Sequence, residues 1–207
     1  CGSSLAARER WERFLAPFRL LPLDARAAWE FGAGFRCLSA NGLLMKALFR
    51  MGIPVTGKNL FPSNIQGLPT WYEIRASREG YLSRSAGVDL MVAMNAQTYQ
   101  KDLAEVSPGG FLIYDSTWPR ERSLHRQDIT VLGVPLAKMC NEEFSVARVR
   151  ILMKNVAYAG VLVALLDIDV DLIRTLLEET FAKKPKLVES NLQAIMHLII
   201  RLGDGNA

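Results

Sequence analysis

Val88-Asp89-Leu90-Met91-Val92-Ala93-Met94, followed at Phe111-Leu112-Ile113-Tyr114 by a second apolar run, decides the fold of this chain. A strand with one wet face alternates apolar and polar side chains. Runs that stay apolar through successive positions mark strands covered on both faces. Residues 96–106, between the two runs, read as a helix, and Ser107-Pro108-Gly109-Gly110 as a turn. A third run, residues 129–134, ends at Pro135. Strand, helix and strand in this order imply βαβ units and a largely parallel sheet. The expected class is α/β: a three-layer α/β/α domain with a mostly parallel, mixed sheet.

Upstream of the first run, Ser39 is placed to cap a helix through Phe49 that stops at Gly52. Residues 53–56 read as a short strand, 58–69 as a loop set by Pro62 and Pro69, and 70–75 as an aromatic strand. Downstream the last third is helical. One helix covers residues 145–166, Asp169 or Asp171 caps the next through Phe181, and Pro185 opens the last, which stops at Gly203. Residues 31–203 therefore form one domain. Residues 1–30, rich in Ala, Arg and Leu without a clear period, are expected to be an extension dispensable for the core, and 204–207 a tail.

Composition narrows the chemistry. The chain has 207 residues, and half of them are apolar, which excludes a disordered chain. A net charge of +4 and a pI near 9.1 come from basic residues interspersed with acidic ones, which argues against a nucleic-acid surface. Cys1, Cys37 and Cys140 form no Cys-x-x-Cys unit, so no disulfide framework, zinc site or cysteine-ligated cluster is expected within the chain. Such thiols suit a reduced, cytoplasmic setting. The longest apolar run, 156–166, is short of the ~20 residues a membrane span needs. The start at Cys1 rather than Met suggests a fragment or processed chain. Cys1-Gly2-Ser3-Ser4 has the look of a lipoprotein start, the less favoured reading.

Motifs for catalysis are thin. Asp167, Asp169 and Asp171 are spaced like calcium ligands, but Leu172 stands where the loop needs Gly, so helix capping is preferred. His125 and His197 have no second ligand at metal spacing, and no metal is expected. Cys37 reads as packing, with no histidine near it in sequence. Neither a Gly-x-Ser-x-Gly elbow nor a Walker loop occurs, and no catalytic residue is assigned. Gly32-Ala33-Gly34-Phe35-Arg36-Cys37 is a phosphate loop lacking its last glycine, which leaves Gly32, Gly34 and Ser39 as weak cofactor-binding candidates. Gly203-Asp204-Gly205-Asn206 opens like a thiamine-diphosphate motif but stops short, and a helix cap and tail explain it better. The most specific stretch is residues 57–75, polar and Pro/Gly-set ahead of a strand. It reads equally as a rigid recognition loop or an ordinary surface connection.

That stretch carries a family resemblance. Phe61-Pro62-Ser63-Asn64-Ile65-Gln66-Gly67 resembles the signature loop of the gamma-type domain of 2-oxoacid:ferredoxin oxidoreductases. Five further blocks follow in order. Ser39-Ala40-Asn41-Gly42-Leu43-Leu44 with Arg50-Met51-Gly52 is similar to the first helix. Val88 to Asn95 is similar to a strand with its following Asn, and Pro108 to Asp115 to the next strand. Lys154-Asn155 with Gly160 resembles an Asn-rich helix, and Phe181, Lys183, Lys184, Glu189 and Asn191 the final helix pair. Three departures stand out. Gln66-Gly67-Leu68 replaces the frequent Arg-Gly-Gly, removing a charge. The cluster at Gly32 is short of glycines. The residues before Phe31 do not resemble the family's first strand.

The resemblance implies an accessory domain, as a separate gamma subunit or the N-terminal part of an alpha subunit. The enzyme would decarboxylate a 2-oxo acid oxidatively with coenzyme A to an acyl-CoA. Thiamine diphosphate, magnesium and iron–sulfur clusters would sit on partner domains or subunits, alpha and beta, with ferredoxin an indirect partner and coenzyme A a candidate ligand. Alone, the chain is expected to be inactive. Lys58, Asn59, Ser63, Asn64, Gln66 and Gly67 are expected to face a partner beside the active site, with Trp71 and Tyr72 adding apolar area to that surface. The competing reading, resting on Gly32, Gly34 and the α/β pattern, is a stand-alone nucleotide- or coenzyme A-binding module.

Overall fold

The computed structural model describes residues 34–60, 71–77, 79–81, 83, 86–117, 125–182 and 184–203. In chain order these form α1 (Gly34–Arg50), β1 (Val55–Leu60), β2 (Trp71–Ala76), β3 (Val88–Ala93), α2 (Tyr99–Glu105), β4 (Val106–Asp115), β5 (Thr130–Val134), α3 (Leu136–Glu143), α4 (Ala147–Leu165), α5 (Val170–Thr180) and α6 (Pro185–Gly203). The expected extension, residues 1–30, and the tail lie outside the described residues.

Strands β3, β4 and β5 pair in that order, all parallel, while β1 and β2 form a separate antiparallel pair. The first two apolar runs are buried as expected, whereas the third, β5 at the edge of the sheet, is buried only at Val134. Val88 and Leu90 through Ala93 are all inaccessible, as are Leu112 and Ile113. Their side chains alternate between two cores. Met91, Ala93, Leu112 and Tyr114 meet Tyr99 and Leu103 of α2 on one face. Leu90, Val92 and Ile113 join Tyr72 and Ile74 of β2 and the apolar sides of α1, α3, α4, α5 and α6 on the other. Helix, sheet and helices are the three layers expected of a βαβ chain.

Local signals explain several boundaries. α1 ends at Gly52, whose φ of +80° suits glycine, with Gly52 N–H bonded to Phe49 O and Ile53 N–H to Leu48 O. Asp169 caps α5, its carboxylate accepting from Asp171 N–H at 2.9 Å. Pro185 opens α6, where its missing N–H costs nothing.

Five expectations need correction. Ser39 lies inside α1, not at its cap, because the helix reaches back to Gly34. The short strand expected at 53–56 is β1, which runs on to Leu60 because β2 pairs with it through Leu60↔Trp71, so Lys58 and Asn59 are strand residues. α2 begins at Tyr99, since Asn95 first forms a turn through its side-chain oxygen and Gln97 N–H. The turn at Ser107–Gly110 is a bulge within β4: pairing jumps from Val88↔Val106 to Leu90↔Phe111. Gly109 takes φ +79° there, and a Cβ on Gly110 would stand 2.8 Å from Asp89 O. Finally, α3 was not anticipated. Pro135, read as a strand stop, is also the residue from which this helix starts.

Candidate functional site

Of the six residues expected to face a partner, Lys58 and Asn59 are adjacent on β1 and exposed. Ser63, Asn64, Gln66 and Gly67 lie outside the described residues. The strand that carries Lys58 and Asn59 is fixed from beneath. Tyr72, opposite Asn59, lays its ring over Gly57, where an added Cβ would come within 2.3 Å of the phenol oxygen. The phenol donates to Met45 Sδ of α1 at 3.6 Å. Tyr72 is 8% exposed and belongs to the main core, so it offers no area to a partner, contrary to expectation. Burial raises its phenol pKa.

Trp71 is half-buried and points to the other core. Its indole N–H donates to Asp102 Oδ1 at 3.0 Å, and Lys101 Nζ stands 4.0 Å from its ring centroid. Asp102 Oδ2 lies 2.7 Å from the Thr98 hydroxyl. Burial pushes the Asp102 carboxyl up, while the Thr98 and Trp71 bonds pull against it. Trp71 therefore ties the hairpin to α2, and its expected role as a free interface aromatic is replaced in part by this anchoring.

A second polar group gathers beyond the C-terminal ends of β4 and β5, the edge where α/β sheets hold their sites. Asp115, 2% exposed, ends β4. Its Oδ1 accepts from Thr117 N–H at 3.2 Å and Ala137 N–H at 3.3 Å, and Oδ2 pairs with Lys154 Nζ at 3.3 Å. Thr117 Oγ1 accepts from Lys138 N–H at 2.9 Å. The first turn of α3 is thus served by the chain's own carboxylate and hydroxyl, which occupy the place an anion would take. Cys140 lies in the next turn. Its buried thiol is pushed up to about 11 by desolvation, which makes it unreactive near neutrality. Sequence reasoning missed this group, although an Asp closing a buried strand and followed by Ser-Thr was the available signal.

Of the weak cofactor-binding candidates, Gly32 is outside the described residues, Gly34 is the first residue of α1, and Ser39 is in its body. Nearby, Asn41 and Tyr158 join α1 to α4 through a buried bond of 2.7 Å, from the phenol to the amide oxygen. His197 faces Glu143 at 3.5 Å rather than a metal cluster. Among the described residues no group of three or more His, Cys, Asp or Glu side chains could hold a metal ion, and no helix is long and apolar enough to cross a membrane.

Comparison with known proteins bears on this arrangement. Residues 33–197 match the family described as pyruvate ferredoxin/flavodoxin oxidoreductase. A similar curated protein is 2-oxoacid:ferredoxin oxidoreductase 2, subunit alpha, of Aeropyrum pernix, 29% identical over 106 residues, which are 51% of this chain and 16% of that one. Among solved structures, 2-oxoglutarate:ferredoxin oxidoreductase from Magnetococcus marinus, with 2-oxoglutarate, coenzyme A and succinyl-CoA bound, aligns with a TM-score of 0.70 at 22% identity, covering 88% of this chain and 30% of that one. The gamma subunit of keto/oxoacid ferredoxin oxidoreductase from Geobacter sulfurreducens aligns with a TM-score of 0.67 at 14% identity, covering 89% and 96%. The chain thus spans about a sixth of the curated relative and nearly the whole of the gamma subunit. With four-fifths of its length inside the family match, this chain belongs to the pyruvate ferredoxin/flavodoxin oxidoreductase family.

Proposed function

We propose that the chain is the accessory, gamma-type part of a 2-oxoacid:ferredoxin oxidoreductase that converts a 2-oxo acid and coenzyme A to an acyl-CoA. The observation that carries this reading is the family match over residues 33–197. Its job is to pack beside the active site and hold the assembly together. Thiamine diphosphate, magnesium and the iron–sulfur clusters sit on the alpha and beta parts, which pass electrons to ferredoxin, in the cytoplasm. The Asp115 and Asp102 groups support an accessory role, since each satisfies its polar atoms internally and leaves no reacting group facing outward.

The surface offered to the partner carries Lys58, Asn59, Ser63, Asn64, Gln66 and Gly67. Lys58 and Asn59 support it because both are exposed on a strand that the Tyr72 ring pins at Gly57, so little freedom is lost on docking. The test uses the chain co-expressed with its partner subunits. Lys58→Glu together with Asn59→Ala should weaken co-purification and turnover at least tenfold while the free chain melts as before. Turnover and assembly within twofold of the parent would reject the surface. Failure of any thiamine- or cluster-bearing subunit to co-purify with the parent chain would reject the accessory role itself.

A further inference from the structure

We propose that residues 5–16 form an amphipathic helix that docks, within the same chain, into the groove between α5 and α6. The groove holds about 530 Å³. Its floor is apolar: Phe181 at the end of α5, and Val188, Leu192 and Met196, spaced four apart along α6. All four are half-buried, so each still offers apolar surface. Phe181, Val188 and Leu192 rest on the main core, which fixes the floor in place. Glu178 of α5 and Glu189 of α6 line the groove and are exposed. Neither has an ion-pair partner among the described residues. Arg174, the remaining charged lining residue, lies 3.9 Å from Asp171.

Spacing, charge and tether length select the occupant. Residues 1–30 have no clear period as a whole, but residues 5–16 have one. Ala7, Trp11, Phe14 and Leu15 recur at i, i+4, i+7 and i+8, one face of a helix, and Pro17 stops it. Arg8 and Arg10 flank that face on its two sides, while Glu9, Glu12 and Arg13 lie away from it. An apolar stripe edged with arginines matches an apolar floor edged with glutamates. Two copies of the groove laid face to face would instead set glutamate against glutamate. A helix this short is marginal in water and gains its stability from the face it buries. The tether is long enough: residues 17–33 reach about 55 Å when extended. They lead to Gly34, where α1 starts. That helix is about 25 Å long. Its far end meets α5, where Arg50 donates to Glu179 at 2.6 Å, beside Glu178. Tethering raises the local concentration of the segment at the groove, so a contact too weak between separate molecules holds within one chain.

The test is NMR of the full chain labelled at its methionine methyl groups, with Met196→Leu assigning the Met196 signal and Trp11→Phe the Trp11 indole. The Met196 methyl should show a nuclear Overhauser contact to the Trp11 ring that does not change on dilution. Arg8→Glu together with Arg10→Glu should abolish the contact, and adding Glu178→Lys and Glu189→Lys should restore it. Docking is read in the parent chain, so it stays decidable if a charge variant fails to fold. Absence of the contact in the parent overturns the proposal. So does a contact that fades on dilution, which would make a second copy the occupant. A contact that survives the arginine reversal, or that the glutamate reversal does not restore, also overturns it.

Discussion

Asp115 shows what one buried side chain can be asked to hold. It holds its own turn through the Thr117 N–H, joins β4 to α3 through the Ala137 N–H and reaches α4 through Lys154. Asp115→Ala should destabilise the chain by about 2–4 kcal/mol in urea titration, because two donors and a partly buried ammonium lose their partner. Asp115→Asn keeps one acceptor and should cost less. Cys140 gives a pH signature. Its thiol is raised by burial to about 11, so stability drawn from keeping it neutral is complete below an unfolded value of ~8.5 and is lost as pH rises toward 11. Urea midpoints between pH 8 and 11 should therefore fall more steeply for the parent than for Cys140→Ala. The same scale shows why part of the site was legible and part was not. Polarity marked Lys58 and Asn59 as exposed residues, and both are exposed. Their place on a strand was hidden because Gly57 and Asn59 are poor strand formers, and only pairing with β2 overrides that preference. The Trp71–Asp102 bond spans 31 positions, and nothing local announces it.

Elements were legible where one physical cause set them. Continuous apolarity marked β3, β4 and β5, and a side-chain cap marked α5. They were illegible where two causes competed. Pro135 ends a strand and begins a helix, and the sequence reading gave it only the first role. Ser39 carries a capping side chain, yet the helix passes through it. The α4–α6 contact offers a sharper test. Gly160 faces α6, and a Cβ there would stand 2.9 Å from Ile195 O and 3.1 Å from Ile195 Cα. Alanine is the better helix former by about 1 kcal/mol, so an isolated helix would gain from Gly160→Ala. Here the neighbour is backbone, which yields little. We expect a net loss of about 1–3 kcal/mol by thermal or urea unfolding. A net gain would mean the two helices can separate freely.

For the whole molecule, the three-layer plan followed from the order of the segments, while the separation of the β1–β2 pair from the parallel sheet did not. The hairpin is secured instead by Trp71 on one face and by Tyr72 and Ile74 on the other. Gly57→Ala should loosen it by about 1–3 kcal/mol, since Tyr72 and Met45 must both move. Amide hydrogen exchange should then rise in β1 and β2 ahead of β3 and β4.

The two cores also differ in when a growing chain can complete them. The face closed by α2 uses residues no later than Val131, whereas the opposite face draws on residues as late as Leu198 and Ile199. A ribosome delivering this chain from its N-terminus therefore finishes one side of the sheet while Leu90, Val92 and Ile113 still lack part of their cover. For the time needed to synthesise the last two helices, the nascent chain presents a sticky sheet face, the kind of surface that chaperones shield. A chain terminated after Asp167 keeps that face permanently incomplete. It should collect in the insoluble fraction, and co-expressed chaperones should bring it back into solution more than they do the full-length chain.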